Sequence, residues 1–258
     1  MGAIIKTEKE LESIRKGGKL LAEILSTVAA AVRPGMKSSE LETYTLAEII
    51  RHAPDAVPSF LNYTPDGASH PYPAALCVSI NEEIVHGIPS DDKVLCEGDC
   101  VSLDLGLEYE GTFTDHAMSL AVGPVKKEVR ELIFDTKEAL YAGIAAARAG
   151  NTIGDIGAAL EKIARAKGYG IIHELAGHGV GRAVHEEPFI PNFGKPGTGE
   201  KLKPGMVLAL EPMFSLGSAD IKVLRDGYTC VTADKSVSAH FEHTIIITDG
   251  DPEIVTEL

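Results

Sequence analysis

The run Val101-Ser102-Leu103-Asp104-Leu105-Gly106-Leu107, followed shortly by Glu110-Gly111-Thr112-Phe113-Thr114-Asp115, decides how this chain folds. An apolar segment of strand length with one carboxylate at its middle reads as a strand through a protein interior. Gly111 marks a turn between two such strands, so a hairpin brings Asp104 and Asp115, eleven residues apart, to one mouth of a sheet. A carboxylate is costly to bury unless it is paired or bound to a cation. For these two residues alone, hydrogen-bonded aspartates at strand ends serve equally well.

Three further ionisable residues sit in similar surroundings. His178 lies in Gly177-His178-Gly179-Val180-Gly181, where three glycines clear space around one imidazole. Glu211 ends the strand-like Met206-Val207-Leu208-Ala209-Leu210-Glu211, which Pro212 terminates, and Glu242 opens Glu242-His243-Thr244-Ile245-Ile246-Ile247. Each could be explained singly; together, four carboxylates and an imidazole suit hard or borderline divalent ions. Five ligands exceed what one tetrahedral catalytic zinc takes, so two ions sharing bridging carboxylates are the economical reading. Such a pair lowers the pKa of a bridging water and polarises a carbonyl, which is the chemistry of hydrolysis. A zincin helix is excluded because neither His173-Glu174 nor His185-Glu186 is followed by a histidine at the required spacing. Gly197-Thr198-Gly199-Glu200-Lys201 likewise lacks the Gly-Lys-Ser/Thr of a phosphate loop.

The rest of the chain frames this centre. Its 258 residues, 44% hydrophobic, suffice for a substantial core, and a single catalytic domain over 1–258 is expected. The longest loop-like stretch runs from about Pro188 to Pro204. A net charge of -14 argues against a broad nucleic-acid surface. Cys77, Cys96, Cys100 and Cys230 form no Cys-x-x-Cys pair and read as reduced thiols of a cytoplasmic protein. Met1-Gly2-Ala3-Ile4-Ile5-Lys6 lacks the apolar run of a signal peptide, and no stretch is long enough to cross a bilayer.

Apolar periodicity predicts a helix from Thr7 to Val32, with Thr7 and Glu10 as a capping box, and a second from Ser38 or Ser39 as cap to about Ile50. Strands are expected near Ala75–Ile80 and in the hairpin, then helices over about Lys126–Ala149 and Thr152–Lys167. Arg33-Pro34-Gly35 with Glu40-Leu41 matches Arg148-Ala149-Gly150 with Asp155-Ile156 at a constant offset of 115. Helix-turn-helix connections resemble one another generally, but here the repeat also divides the ligands: Asp104 and Asp115 fall in a half of about 1–123, the other three in a half of about 124–258. The fold class expected is α+β, two related halves forming one curved sheet with helices on its outer face and the metals in the concave side.

Asn81-Glu82-Glu83-Ile84-Val85-His86-Gly87-Ile88-Pro89, Gly177-His178-Gly179-Val180-Gly181, His185-Glu186-Glu187-Pro188, Leu210-Glu211-Pro212-Met213 and Phe241-Glu242-His243-Thr244 occur in the order seen in methionine aminopeptidases, and the chain resembles their type I class. The resemblance covers nearly the whole chain. It implies the pita-bread fold, a largely antiparallel sheet of two pseudo-symmetric halves. It further implies two divalent ions (Co, Mn, Fe, Zn or Ni), with Asp104 on one, Asp115 and Glu242 bridging, and His178 with Glu211 on the other. Glu211 is implied as a proton acceptor too, and His86 and His185 as hydrogen-bonding partners of the scissile amide or its carbonyl oxygen. By position Tyr72, Cys77 and Tyr228 look like residues of the family's methionine pocket, although core packing alone would also explain them. The substrate implied is the N-terminal methionine of nascent chains before a small residue, with transient ribosome contact and a monomeric enzyme.

The chain departs from the common type I pattern at Val184, Tyr228 and His240, where phenylalanine, tryptophan and glutamine are frequent, which bears on pocket width and edge polarity. His116, next to Asp115, should face away by strand alternation. Two alternatives stand beside this reading: an X-Pro aminopeptidase or prolidase, whose members usually carry a further N-terminal domain, and a non-catalytic binding protein on the same fold, which would typically have lost ligands.

Overall fold

In the computed structural model, which describes residues 2–65 and 67–258, helix α1 (Glu8–Ala31) begins where the capping box predicts. The Thr7 amide donates to Glu10 Oε2 at 2.7 Å and the Glu10 amide to Thr7 Oγ1 at 3.4 Å, satisfying two of the free amides at a helix start. Helix α2 (Ser38–His52) corrects the expected serine cap. Both serines lie inside the helix; the cap position is Lys37, whose amide donates to Glu40 Oε2 at 2.7 Å, and the Ser38 hydroxyl donates to Ser90 O at 3.0 Å. Helices α3 (Lys127–Ala146) and α4 (Ile153–Lys167) repeat the pair.

The turns of the two pairs match in detail. Gly35 and Gly150 sit at φ +87° and +92°, a region that favours glycine, and their amides donate to Leu95 O at 2.7 Å and Leu202 O at 3.0 Å. Two residues past each glycine, Lys37 forms an antiparallel bridge with Val94, and Thr152 with Lys201. The 115-residue sequence correspondence therefore reappears in backbone contacts.

The strands, in chain order, are β1 (Val57–Pro58), β2 (Leu76–Ile80), β3 (Glu83–Val85), β4 (Cys100–Tyr109), β5 (Thr112–Ala121), β6 (Gly170–Ile171), β7 (Ala176–Gly179) and β8 (Glu186–Pro191). They continue with β9 (Val207–Leu210), β10 (Met213–Ser215), β11 (Ile221–Val223), β12 (Cys230–Thr232), β13 (Ser238–His240), β14 (Glu242–Ile246) and β15 (Glu253–Ile254). The start of the supposed long loop after Pro188 is thus strand, because β8 pairs with β7 through Pro191. A nine-stranded sheet runs β1-β4-β5-β14-β9-β7-β8, with β2 beside β4 and β15 beside β14, and its pairings are antiparallel.

The central hairpin is the predicted one. Tyr109 pairs with Thr112 across a two-residue turn, Glu110 and Gly111, both at positive φ (49° and 79°), as a primed hairpin turn requires. Side chains alternate across β4: Val101, Leu103, Leu105 and Leu107 pack with Leu21, Ile24, Leu25 and Val28 of α1. On the other half of the sheet, Leu208, Leu210 and Ile245 pack with Leu140, Ile156 and Leu160 of α3 and α4. These two clusters lie on one face of the sheet; on the face that carries Asp104, Val207, Ala209 and Ile246 meet Leu11 and Ile14 at the start of α1.

Candidate metal centre

Register alone brings the five predicted ligands together. Asp104 pairs with Ala117 and Asp115 with Gly106, so the two aspartates lie diagonally on one face of the hairpin. Glu242 also pairs with Ala117, joining that face from β14. Ala209 pairs with both Thr244 and His178, which places His178, Glu211 (two residues past Ala209) and Glu242 (two before Thr244) on the same side. Asp115, His178 and Glu242 each offer a ligand atom within 4.8 Å of the others.

Little protein compensates these charges. Asp104 Oδ1 and Glu242 Oε1 are buried without a hydrogen-bond partner, and among the described residues no lysine or arginine pairs with any of the four carboxylates. Burial above all raises the pKa values of Asp104, Asp115, Glu211 and Glu242, and repulsion between neighbouring carboxylates adds to it for the last three. His178 Nδ1 donates to the Gly179 carbonyl at 2.8 Å, since a carbonyl can only accept. Its Nε2 therefore carries the lone pair and points at Glu211 Oε1, 3.6 Å away. Burial, with His185 nearby, lowers the His178 pKa to about 3, so the imidazole is neutral and able to ligate. Orphaned carboxylate oxygens beside a neutral imidazole lone pair form a donor set that fits divalent cations.

The other predicted residues line the same cavity of about 740 Å³. His86 stands at φ 58°, a conformation that costs a non-glycine residue energy and that its neighbours enforce. Gly87 O accepts from Val78 N at 2.8 Å and from Tyr72 Oη at 3.0 Å, pinning this turn to β2. Burial, then His185, lowers the His86 pKa to about 4. The His185 ring lies 4.5 Å from that of His178, and its Nδ1 is 3.0 Å from Tyr63 Oη. Tyr72, Cys77 and Tyr228 do come together, in one apolar cluster with Phe60, Ala74 and Val184, and the Tyr72 and Tyr228 rings meet edge-on at 5.1 Å. A neighbouring hollow of about 540 Å³ shares His86, His178, His185 and Glu211 and extends past Leu175 and Met213.

A metallopeptidase family M24 sequence model matches residues 12–249. The chain belongs to metallopeptidase family M24. Within M24 it is 44% identical over 262 residues to the methionine aminopeptidase of Aquifex aeolicus, covering all of both chains. The crystal structure of methionine aminopeptidase from Thermotoga maritima superposes with a TM-score of 0.94 at 41% identity, covering 99% of this chain and 100% of that one. The prolidase from Pyrococcus furiosus shares the fold alone, with a TM-score of 0.76 at 24% identity over 66% of its own length. These M24 likenesses bear out the pita-bread reading, and membership carries divalent-metal dependence and hydrolase chemistry with it. No helix among the described residues is long and apolar enough to cross a membrane.

Part of the surroundings has no local signature in the sequence. Phe60 and Tyr63 come from a loop with no periodic pattern, and nothing local marks them as cavity residues. His240, expected only at the pocket edge, is 1% exposed, with Nε2 3.6 Å from Glu211 Oε2 and no hydrogen-bond partner on either ring nitrogen. Its spacing of two from Glu242 was the available signal. His116 does face away: it stacks on His243 at 4.6 Å, and its Nδ1 donates to Glu242 O at 2.5 Å.

Proposed function

We propose that this M24 peptidase releases the N-terminal methionine of peptides and nascent proteins, with Asp104, Asp115, His178, Glu211 and Glu242 holding two divalent cations. The observation that carries the reading is the convergence of four carboxylates and one neutral imidazole on one sheet face, with Asp104 Oδ1 and Glu242 Oε1 buried and unpartnered. Buried carboxylate oxygens of this kind call for a compensating proton or cation, and four of them beside a neutral imidazole favour the cation. These five side chains would hold the ions between them, and Co, Mn, Fe, Zn or Ni suits the set. Ions held there supply Lewis acidity, acidifying water and polarising a carbonyl.

The remaining steps belong to the protein. His86 and His185 hydrogen-bond the scissile amide or its carbonyl oxygen, holding the peptide in line and opposing the charge that develops on oxygen. With a pKa near 4, His86 does this as a neutral group at pH 7. Glu211 would accept, at a carboxylate oxygen, the proton that the attacking water gives up as its oxygen bonds to the carbonyl carbon, and would return it to the departing amine as the C–N bond breaks. Phe60, Tyr72, Cys77, Val184 and Tyr228 enclose the methionine side chain, a wall of rings, a thiol and an aliphatic group suited to a thioether. The rest of the peptide leaves through the hollow past Leu175 and Met213. A nascent chain as substrate implies a cytoplasmic setting and transient proximity to the ribosome.

The test is to strip metal with a chelator and follow methionine release from Met-Ala-Ser, before and after adding back Co, Mn, Fe or Zn. Release that disappears and returns with metal, and that declines as the second residue grows, supports the reading. Turnover indifferent to metal, or cleavage confined to X-Pro peptides, contradicts it.

A further inference from the structure

The segment from Gly181 to Glu186 carries two groups the proposed reaction uses, Val184 in the pocket wall and His185 beside His178, yet it contains no candidate ligand. What fixes it is Glu186. Its Oε1 accepts from the backbone amides of Arg182 and Ala183, the latter at 3.0 Å, which closes the segment into a tight loop. Its Oε2 accepts from Lys6 Nζ at 2.6 Å. The two side chains of this ion pair are 1% and 4% exposed.

Lys6 is itself anchored. Its amide donates to Gly205 O at 2.8 Å beside the Ile5–Met206 bridge, which joins the N-terminal segment to the chain entering β9, the strand before Glu211. It also runs directly under the loop: a Cβ on Gly181, at φ +135°, would lie 2.4 Å from Lys6 Cε. Burial is the largest influence on Lys6 and lowers its pKa, while Glu186 acts in the other direction. A buried charge pair of this kind adds little stability over a neutral pair, but removing one partner strands the other and forces local rearrangement.

We infer that Lys6 is a positioning residue for the reaction: through its buried ion pair with Glu186 it holds the 181–186 loop that sets His185 and Val184 against the substrate. The inference rests on the reading of His185 and Val184 as substrate-facing groups. A loop displacement of about 1 Å is enough to cost on the order of 100-fold in rate. His178 is held outside this loop, by pairing with Phe189 of β8 and Ala209 of β9.

The experiment compares the full-length wild type with Lys6→Met, Lys6→Arg and the double variant Lys6→Met/Glu186→Gln. Three quantities are read: kcat and KM for Met-Ala-Ser, cobalt affinity by calorimetry, and hydrogen exchange of the 181–186 amides. Lys6→Met leaves Glu186 unpaired; kcat is expected to fall and KM to rise, to about 100-fold in kcat/KM, with faster exchange in the loop and unchanged cobalt affinity. Lys6→Arg keeps the charge and most of the activity. In the double variant the carboxamide oxygen that replaces the Glu186 carboxylate still accepts from both amides and no charge is stranded, so loop protection and most of kcat/KM return. Unchanged exchange in Lys6→Met overturns the inference whatever the catalytic result, as does a double variant no better than Lys6→Met. A wild type that fails to release methionine at all refutes the proposed function instead.

Discussion

Replacing Gly87 by alanine tests the substrate role of His86 without touching a ligand. A Cβ at Gly87 would stand 2.3 Å from Val78 O, 2.8 Å from Val78 C and 2.9 Å from Ser79 Cα, all backbone atoms of β2, which is hydrogen-bonded to the Asp104 strand. Ordinary contact begins at 3.4 Å, so the turn carrying His86 must retreat by roughly 1 Å, because a paired strand yields less than a turn. The retreat breaks the 2.8 Å bond from Val78 N and the 3.0 Å bond from Tyr72 Oη to Gly87 O, which loosens the pocket as well. Overpacking of this kind costs about 1–3 kcal/mol of stability, and each kcal/mol lowers Tm by about 2–4 °C in a chain of this size. Moving a positioning group by 1 Å costs about 100-fold in rate. The expected result is therefore a folded protein, modestly less stable, with kcat/KM for Met-Ala-Ser down about 100-fold and cobalt affinity by calorimetry unchanged. A Gly87→Ala enzyme within a few-fold of wild type, despite a measurable drop in Tm, would refute the placement of His86 against the substrate.

Other outcomes follow from the same geometry. His178→Ala removes a neutral nitrogen aimed at the centre, and both cobalt affinity and methionine release collapse while the circular dichroism spectrum persists. His240→Leu removes two unpartnered ring nitrogens, whose burial costs about 1–3 kcal/mol; the chelated variant should melt no lower than chelated wild type, and a fall of several degrees would show that His240 is satisfied after all. Burial holds the His116 pKa at about 4, so below the unfolded value of 6.5 the unfolded chain takes up a proton that the folded chain refuses. Stability falls as pH drops from 7 to 5, about 2 kcal/mol at pH 5 from this group, and His116→Gln flattens that part of a denaturant-unfolding profile. Cys77→Leu crowds the pocket wall, raising KM for methionyl peptides in steady-state assays with metal affinity intact.

The hairpin was legible because three local signals agreed: an apolar run of strand length, one acid within it, and a glycine at the turn. The same agreement placed α1, whose capping box and apolar period point to one register. Ser38 misled because its hydroxyl looked like a cap but is engaged by Ser90, fifty-two residues away, a tertiary contact with no local trace. The five candidate ligands could be named because the four acids interrupt apolar runs and His178 stands between glycines. Their common face depends on pairings of β14 with β5 and β9, which no local pattern determines. Tyr63 and Phe60 illustrate the limit, as cavity-lining side chains on an irregular loop. Glu186 was visible within its motif, but its partner Lys6 lies 180 residues earlier, and only the folded chain brings the two together.

The most direct measurement is a titration of chelated protein with cobalt in which bound metal and methionine release from Met-Ala-Ser are recorded at each addition. No release without metal, binding that saturates at two ions per chain, and loss of both signals in Asp115→Asn and His178→Ala are expected. Methionine release that persists in the chelated protein, or that survives in variants unable to bind cobalt, would contradict the proposed function.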